Sequence, residues 1–233
     1  MQIYTPVLLT ISRNLNNAWR VFEVVKSVRP PQLYIAVNLD SKDERTQNFK
    51  SEIDRMSREI DWQCELKTSF AKNSVNSPLA WFFSMADEGI IIEDTCIPDT
   101  SFFGFTQAML ERYRSKSSVL TINGTNAAGT WKSNHSYFFS HYGIAGGWAT
   151  WKRAWKSHEK ELTALFTQGV QNWTDVESLS IVPKNNLVEC INGRIPRIPL
   201  SFPLEHQLVF KVESSYDKYF SKKLSKNSLR PNL

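Results

Sequence analysis

The first half of the chain alternates short apolar segments with amphipathic ones, and this alternation constrains the fold more than any other feature. The segments PVLLTIS, QLYIAVNLD, CELKT and GIIIED are too short for helices and indicate strands. Helical patterns separate them, including a charged one whose Phe49, Ile53, Met56 and Ile60 share one face. The alternation predicts an α/β fold with a mostly parallel central sheet and helices on both faces.

The second half of the chain has a less regular pattern. A helix is predicted to open near Asp99 and Thr100, and SVLTING, LSIVP and NLVECING indicate further strands. The aromatic, glycine-rich segment HSYFFSHYGIAGGWATWKRAW is expected to fold irregularly and to pack closely against an unspecified partner. We predict a single domain over residues 1–215, followed by a basic tail, residues 216–233.

Charge and hydropathy exclude several classes of function. The net charge of +5 is modest and no nucleic-acid-binding motif is present, so no nucleic-acid partner is expected. The tail is either a solvated terminus or a weak contact with an anionic membrane surface. Because no long apolar run or signal-peptide pattern occurs, we expect a cytoplasmic protein, peripheral at most to the inner membrane.

The three cysteines, Cys64, Cys96 and Cys190, lie far apart in the sequence and form no Cys-x-x-Cys pair. This spacing indicates neither a zinc site nor a disulfide framework, and it is compatible with a reducing compartment.

Charged residues follow several predicted strands. Arg13, Asp40, Glu93 and Asp94 each lie at such a strand end, and α/β sheets bind ligands beyond the carboxyl ends of their strands. Buried carboxylates need compensation. Glu93 and Asp94 could therefore hold a divalent cation, or Glu93 could cap the next turn while Asp94 pairs with an arginine. The residues alone leave both interpretations open.

Two longer segments carry a resemblance to a known family. GIIIEDTCIPDTSFFGFTQAMLERY and YFFSHYGIAGGWATWKRAW resemble bacterial nucleotide-diphospho-sugar transferase-like proteins of polysaccharide loci. These proteins have the GT-A glycosyltransferase fold and are distantly similar to the animal N-acetylglucosaminyltransferase that initiates complex N-glycans. The likeness covers most of the chain. It implies a nucleotide-binding half, residues 1–123, and an acceptor-side half, residues 124–215.

The resemblance also implies an activity and a set of site residues. The activity is transfer of a sugar from a nucleotide-diphosphate donor, with UDP expected, to a polysaccharide or glycolipid acceptor. Arg13 would contact the base or phosphate, and Asp40 the uridine or ribose. Glu93 and Asp94 would hold the ribose and a metal–diphosphate, with Asp94 as ligand to Mn²⁺ or Mg²⁺. Trp148 would form a wall for a sugar ring.

This chain departs from the family pattern at two places. The expected Glu-Asp-Asp triplet ends in Thr95, a poor metal ligand, so a basic side chain such as Lys72 is an alternative partner for the diphosphate. The segment that carries the catalytic base is short, which leaves Asp175 and then Glu177 as candidates, unless both are solvated surface residues. Two other hypotheses stand beside the active glycosyltransferase. One is a catalytically degenerate scaffold with a binding or regulatory role, and the other is a nucleotidyltransferase.

Overall fold

The computed structural model describes residues 3–12, 14–38, 45–71, 78–126, 135–168, 170–173, 177–190 and 208–209. The strands are β1 (Val7–Ile11), β2 (Gln32–Asn38), β3 (Glu65–Ala71), β4 (Glu88–Glu93), β5 (Cys96–Pro98), β6 (Val119–Asn123), β7 (Tyr137–Ser140), β8 (Tyr142–Ile144), β9 (Trp148–Trp151), β10 (Val170–Asn172), β11 (Leu179–Pro183), β12 (Val188–Cys190) and β13 (Leu208–Val209). The helices are α1 (Leu15–Val28), α2 (Thr46–Arg58), α3 (Pro78–Met85), α4 (Thr100–Tyr113), α5 (Lys152–Ser157) and α6 (Glu159–Gln168).

Among the described residues, one sheet of nine strands organises the fold, in the order β13-β7-β11-β6-β9-β4-β1-β2-β3. Strands β1 to β4 are parallel to one another, and β6 is parallel to β11. Strand β9 lies antiparallel between β4 and β6, and β7 is antiparallel to β11 and β13. All strands of this sheet except β7 and β9 therefore run in one direction, which confirms the predicted mostly parallel sheet.

Helices cover both faces of the sheet because successive strand residues point to opposite sides. Leu9 and Ile92 belong to an apolar cluster with α1, α2 and α4, whereas Leu8 and Ile91 belong to a second cluster with α3, α5 and α6. All four side chains are fully buried. Each such side chain contributes about 1.5–3 kcal/mol, so both faces stabilise the domain, as the continuous apolar strands predict.

Local signals in the sequence explain where helices begin. Helix α3 begins at Pro78, the predicted first helical position, where proline loses no hydrogen bond. Helix α4 follows Asp99, whose carboxylate accepts the N–H of Ser101 at 2.8 Å, as predicted for an N-terminal cap.

The aromatic, glycine-rich segment is more regular than its sequence predicts. It forms β7, β8, β9 and α5, and β9 enters the centre of the main sheet. The expectation of an irregular segment is therefore wrong. Gly146 and Gly147 have φ angles of 103° and 93°, and this left-handed backbone provides the turn that leads into β9.

No helix among the described residues is long and apolar enough to cross a membrane.

Candidate functional site

The strand order reverses at β1, which has β2 on one side and β4 on the other. In parallel α/β sheets, ligands bind outside the carboxyl ends of the strands at such a reversal. The turn after β1 and the residues after β4 meet there, because Thr10 is in register with Glu93. The sequence-predicted carboxylates Glu93 and Asp94 therefore lie at the expected edge, which we call the carboxyl edge.

Asp94 joins the two strand ends. Its backbone N–H donates to the carbonyl of Thr10 at 2.9 Å, extending the ladder beyond β4. Its Oδ2 accepts the backbone N–H groups of Ser12 at 3.0 Å and Asn14 at 3.1 Å. The Ser12 hydroxyl lies 3.4 Å from Oδ1. With 1% of its surface exposed, Asp94 acts as a buried clamp on the turn between β1 and α1.

The same turn also caps helix α1. Asn14 has extended backbone angles, and its Oδ1 accepts the N–H groups of Asn16 at 2.9 Å and Asn17 at 3.3 Å. These bonds satisfy two donors that the first turn of a helix leaves open. The first turn of α1 therefore offers fewer N–H groups to an anionic ligand than an uncapped helix would.

Glu93 and Thr95 flank the clamp and are both half-buried. Glu93 shares a face of β4 with Ile91, two residues earlier, so its side chain leaves the sheet on the face covered by α3. The Thr95 hydroxyl lies 3.6 Å from the Sγ of Cys96. Of the triplet Glu93-Asp94-Thr95, the outer two residues are more exposed as whole residues than Asp94, although Oε1 of Glu93 is itself buried.

The neighbouring part of the carboxyl edge is closed by backbone packing. The N–H of Gly124 donates to the carbonyl of Gly147 at 2.8 Å, and the N–H of Leu187 donates to the carbonyl of Gly124 at 2.9 Å. A Cβ at Gly147 would lie 2.7 Å from a methyl of Val188. The backbone at these glycines therefore approaches β12 closely.

Trp148 follows these glycines as the first residue of β9. It is fully buried in the cluster that contains Ile91 and Phe82, and its indole N–H has no hydrogen-bond partner among the described residues. A ring enclosed on both faces cannot stack on a sugar. The expected sugar wall at Trp148 is therefore corrected to a core position.

Glu177 lies at the amino-terminal edge of the sheet, opposite the carboxyl edge. It is exposed and sits two residues before β11, whose first residue, Leu179, is in register with Val119, the first residue of β6. Because β11 spans five residues, Glu177 is separated from the carboxyl edge by roughly 15–20 Å. A base must come within about 3 Å of the hydroxyl that it deprotonates, so Glu177 does not fit that role for chemistry beside Glu93.

Four predicted site residues, Arg13, Asp40, Lys72 and Asp175, lie outside the described residues. The sequence nevertheless places residue 13 between Ser12 and Asn14, the two residues whose N–H groups bind Asp94.

A groove of about 700 Å³ lies at the amino-terminal edge of the sheet. Its walls come from the end of α1 and the starts of β2 and β3, and include Val28, Arg29, Pro31, Trp62 and Glu65. It is far from Glu93, at the edge where parallel sheets do not usually bind ligands. Arg29 and Asp61 form an exposed ion pair beside it at 3.3 Å. The groove therefore does not coincide with the candidate site.

The described residues do not fit a divalent metal site. No group of three His, Cys, Asp or Glu side chains among them could hold an ion. Oδ2 of Asp94 already accepts two backbone N–H groups, and Thr95 supplies a neutral oxygen where a carboxylate is needed. The expectation that Asp94 binds Mn²⁺ or Mg²⁺ finds no support in this donor set.

No family model and no curated protein matches the chain. Solved structures overlap parts of it at low identity. TarS 1–349 of S. aureus is 7% identical over 80% of this chain, with a TM-score of 0.44. The mannosyltransferase PcManGT of Pyrobaculum calidifontis, solved with GDP-Man and Mn²⁺, is 12% identical over 82%, with a TM-score of 0.43. The glycosyltransferase GlyE of Streptococcus pneumoniae TIGR4 is 13% identical over 72%, with a TM-score of 0.39. This chain spans 60%, 58% and 40% of those chains, respectively.

Proposed function

We propose that the chain is a GT-A glycosyltransferase that binds a nucleotide-diphosphate sugar, with UDP as the nucleotide, between the ends of β1 and β4. One observation carries this proposal: Asp94 fastens the turn after β1 to the end of β4 at the point where the strand order reverses. A rigid carboxyl edge at this point is the arrangement that nucleotide-binding α/β sheets use. The family resemblance supplies the reaction class.

The proposed roles follow the accessibility of the residues around the clamp. Glu93, half-buried at the strand end, accepts hydrogen bonds from the ribose hydroxyls. Arg13, which lies between Ser12 and Asn14 in the sequence, and Lys72 contact the diphosphate. Asp40 contacts the uridine. Asp94 is a positioning residue, since its carboxylate is occupied by the turn.

Positive side chains are proposed to stabilise the leaving diphosphate. Negative charge develops on this group as the glycosidic bond breaks, and fixed cations close to it lower the barrier. Arg13 and Lys72 are the candidates, because no three His, Cys, Asp or Glu side chains among the described residues form a metal-binding group, and Oδ2 of Asp94 already accepts two backbone N–H groups. UDP affinity should therefore be independent of Mn²⁺.

The proposal also assigns the acceptor side of the site. Asp175 is the proposed base that takes the proton of the acceptor hydroxyl, and the acceptor is proposed to be a polysaccharide or glycolipid. The basic residues of 216–233 would then hold the enzyme at the cytoplasmic face of a membrane that carries such an acceptor.

A second candidate is a degenerate GT-A scaffold that binds a nucleotide or glycan without transfer. The specific observation in its favour is that Asp94 is buried and fully engaged in a structural role, while the third acidic position of the triplet is Thr95. On this account the carboxyl edge keeps its shape but lacks catalytic groups.

An assay of UDP release from UDP-sugars distinguishes the two candidates. It is run with and without glycan and lipid-linked acceptors. Turnover that is lost in the Glu93→Gln variant supports the transferase. UDP binding without turnover across all donors and acceptors supports the degenerate scaffold. Absence of any nucleotide-diphosphate binding contradicts both, and release of pyrophosphate from a nucleoside triphosphate would indicate a nucleotidyltransferase instead.

A further inference from the structure

Two cysteines that are distant in the sequence meet beside the candidate site. Strands β5 and β12 form a separate antiparallel pair in which Cys96 is directly opposite Cys190. The register is set by two further pairs, Ile97 with Glu189 and Pro98 with Val188. We call this pair of strands the β5–β12 ribbon.

Directly opposite positions of an antiparallel ladder meet the distance requirement for a disulfide. Their Cα atoms are about 4.5–5.5 Å apart. Disulfides join residues whose Cα atoms are about 4.4–6.8 Å apart. The backbone at Cys96 and Cys190 therefore needs no rearrangement of the register to accept the bond.

Contacts with the rest of the fold hold the ribbon in place. The N–H of Asp99, after β5, donates to the carbonyl of Leu187, before β12, at 2.8 Å. Leu187 in turn donates to Gly124 at 2.9 Å. Val188 is buried and packs against Gly147. These contacts fix the Pro98–Val188 end of the ribbon, and the register that continues from that end sets Cys96 opposite Cys190.

We propose that Cys96 and Cys190 form a reversible disulfide and that glutathione disulfide, or another small disulfide of that class, is the oxidant. Because Cys96 is only 2% exposed, the thiolate of Cys190 makes the first attack on the small disulfide and releases one glutathione thiolate. The thiolate of the second cysteine then attacks the resulting mixed disulfide and releases the other. The two cysteine thiols lose two electrons and two protons, and the small disulfide gains them as two thiols.

The bond would link segments that are far apart in the chain. It would close a loop from residue 96 to residue 190, and long loops gain the largest stabilisation from cross-links in the chain-entropy account. It would also fix β12 against the residue that follows Thr95. Oxidation would therefore stiffen the carboxyl edge without altering Glu93 or Asp94.

The experiment is incubation of the full-length native chain with glutathione disulfide, followed by thiol counting and non-reducing peptide mapping. The expected result is one intramolecular Cys96–Cys190 linkage, with the reactive thiols falling from three to one. The melting temperature should rise by roughly 5 °C or more and return to its initial value after dithiothreitol. Peptide mapping uses the unmodified chain, so the result does not depend on the folding of a variant.

Matched single variants check the pairing. Cys64→Ser should still form the bond and show the same rise in melting temperature, because Cys64 lies before β3 and outside the ribbon. Cys190→Ser and Cys96→Ser should show neither. Retention of all three thiols in the oxidised native chain, or a bond that includes Cys64, would overturn the proposal.

Discussion

The carboxylate of Asp94 accepts the backbone N–H of Asn14 at 3.1 Å, and the side chain of Asn14 in turn caps helix α1. A residue after β4 thus fixes the start of the helix that follows β1. Because Asp94 also accepts the N–H of Ser12, both neighbours of residue 13 are held by one side chain. We interpret Asp94 as the residue that makes the carboxyl edge rigid.

Replacing Asp94 with alanine should lower the free energy of unfolding by about 2–4 kcal/mol, because hydrogen bonds to a charged group are lost and two backbone donors are left without an acceptor. Urea denaturation measures the change. Asp99→Ala is the matched control, since it removes an exposed carboxylate that caps a helix and should cost about 1 kcal/mol. A loss at Asp94 no larger than at Asp99 would contradict the clamp.

Replacing Thr95 with aspartate should create metal dependence. The new carboxylate would stand near Glu93 and supply the charged oxygen ligand that the neutral Thr95 hydroxyl cannot provide. UDP affinity of the variant should rise roughly tenfold when Mn²⁺ replaces EDTA, a change of about 1.4 kcal/mol in binding free energy. The wild type should bind UDP with the same affinity in Mn²⁺ and in EDTA. The same should hold for Thr95→Asn, because asparagine is close to aspartate in size but carries no charge. Metal-dependent binding already present in the wild type would contradict our account of the site.

Replacing Gly147 with alanine should destabilise the edge by about 2–4 kcal/mol. Its φ of 93° disfavours any side chain, and the new Cβ would lie 2.7 Å from the Val188 methyl group, which adds the cost of overpacking. Chemical denaturation should show that the same substitution costs less in a Val188→Ala background, because the collision is removed and only the backbone strain is left. Equal costs in the two backgrounds would show that Val188 is not the obstacle.

Stability should decrease at alkaline pH, in part through Tyr142. Burial raises the pKa of its hydroxyl above the ordinary value near 10. Between the unfolded and folded pKa values the native state retains the proton that the unfolded state has lost, so this contribution is complete below about pH 10 and is lost as the pH rises further. Urea midpoints at pH 8 and above pH 10 should differ less in Tyr142→Phe than in the wild type. Tyr4→Phe, which changes a side chain that is 66% exposed, should leave the difference unaltered, and an unaltered difference in Tyr142→Phe would contradict this prediction.

The parallel half of the fold could be predicted from the sequence because its signals are local. Continuous apolar strands such as β1 and β4, with amphipathic helices between them, are sufficient to indicate a sheet that is covered on both faces. Asp99 and Pro78 mark helix starts through contacts within a few residues. The placement of Glu93 and Asp94 at the carboxyl edge follows from the same local pattern.

The remaining features depend on long-range pairing, which periodicity does not encode. The insertion of β9 between β4 and β6 and the pairing of β5 with β12 join residues that are many positions apart. Both features change the interpretation of residues: Trp148 moves from a proposed sugar wall into the core, and Cys96 gains Cys190 as a cross-strand neighbour. The position of Glu177 at the opposite edge likewise follows from the register of β11 with β6.

The central claim is that a nucleotide diphosphate binds at the carboxyl edge, and calorimetric titration of UDP in EDTA tests it most directly. We predict measurable binding to the wild type, a loss of roughly tenfold or more in Glu93→Gln, where a charged hydrogen-bond acceptor is removed, and no change in Glu65→Gln, which alters the groove at the amino-terminal edge. Absence of UDP binding to the wild type, or a loss in Glu65→Gln with Glu93→Gln unaffected, would contradict the account.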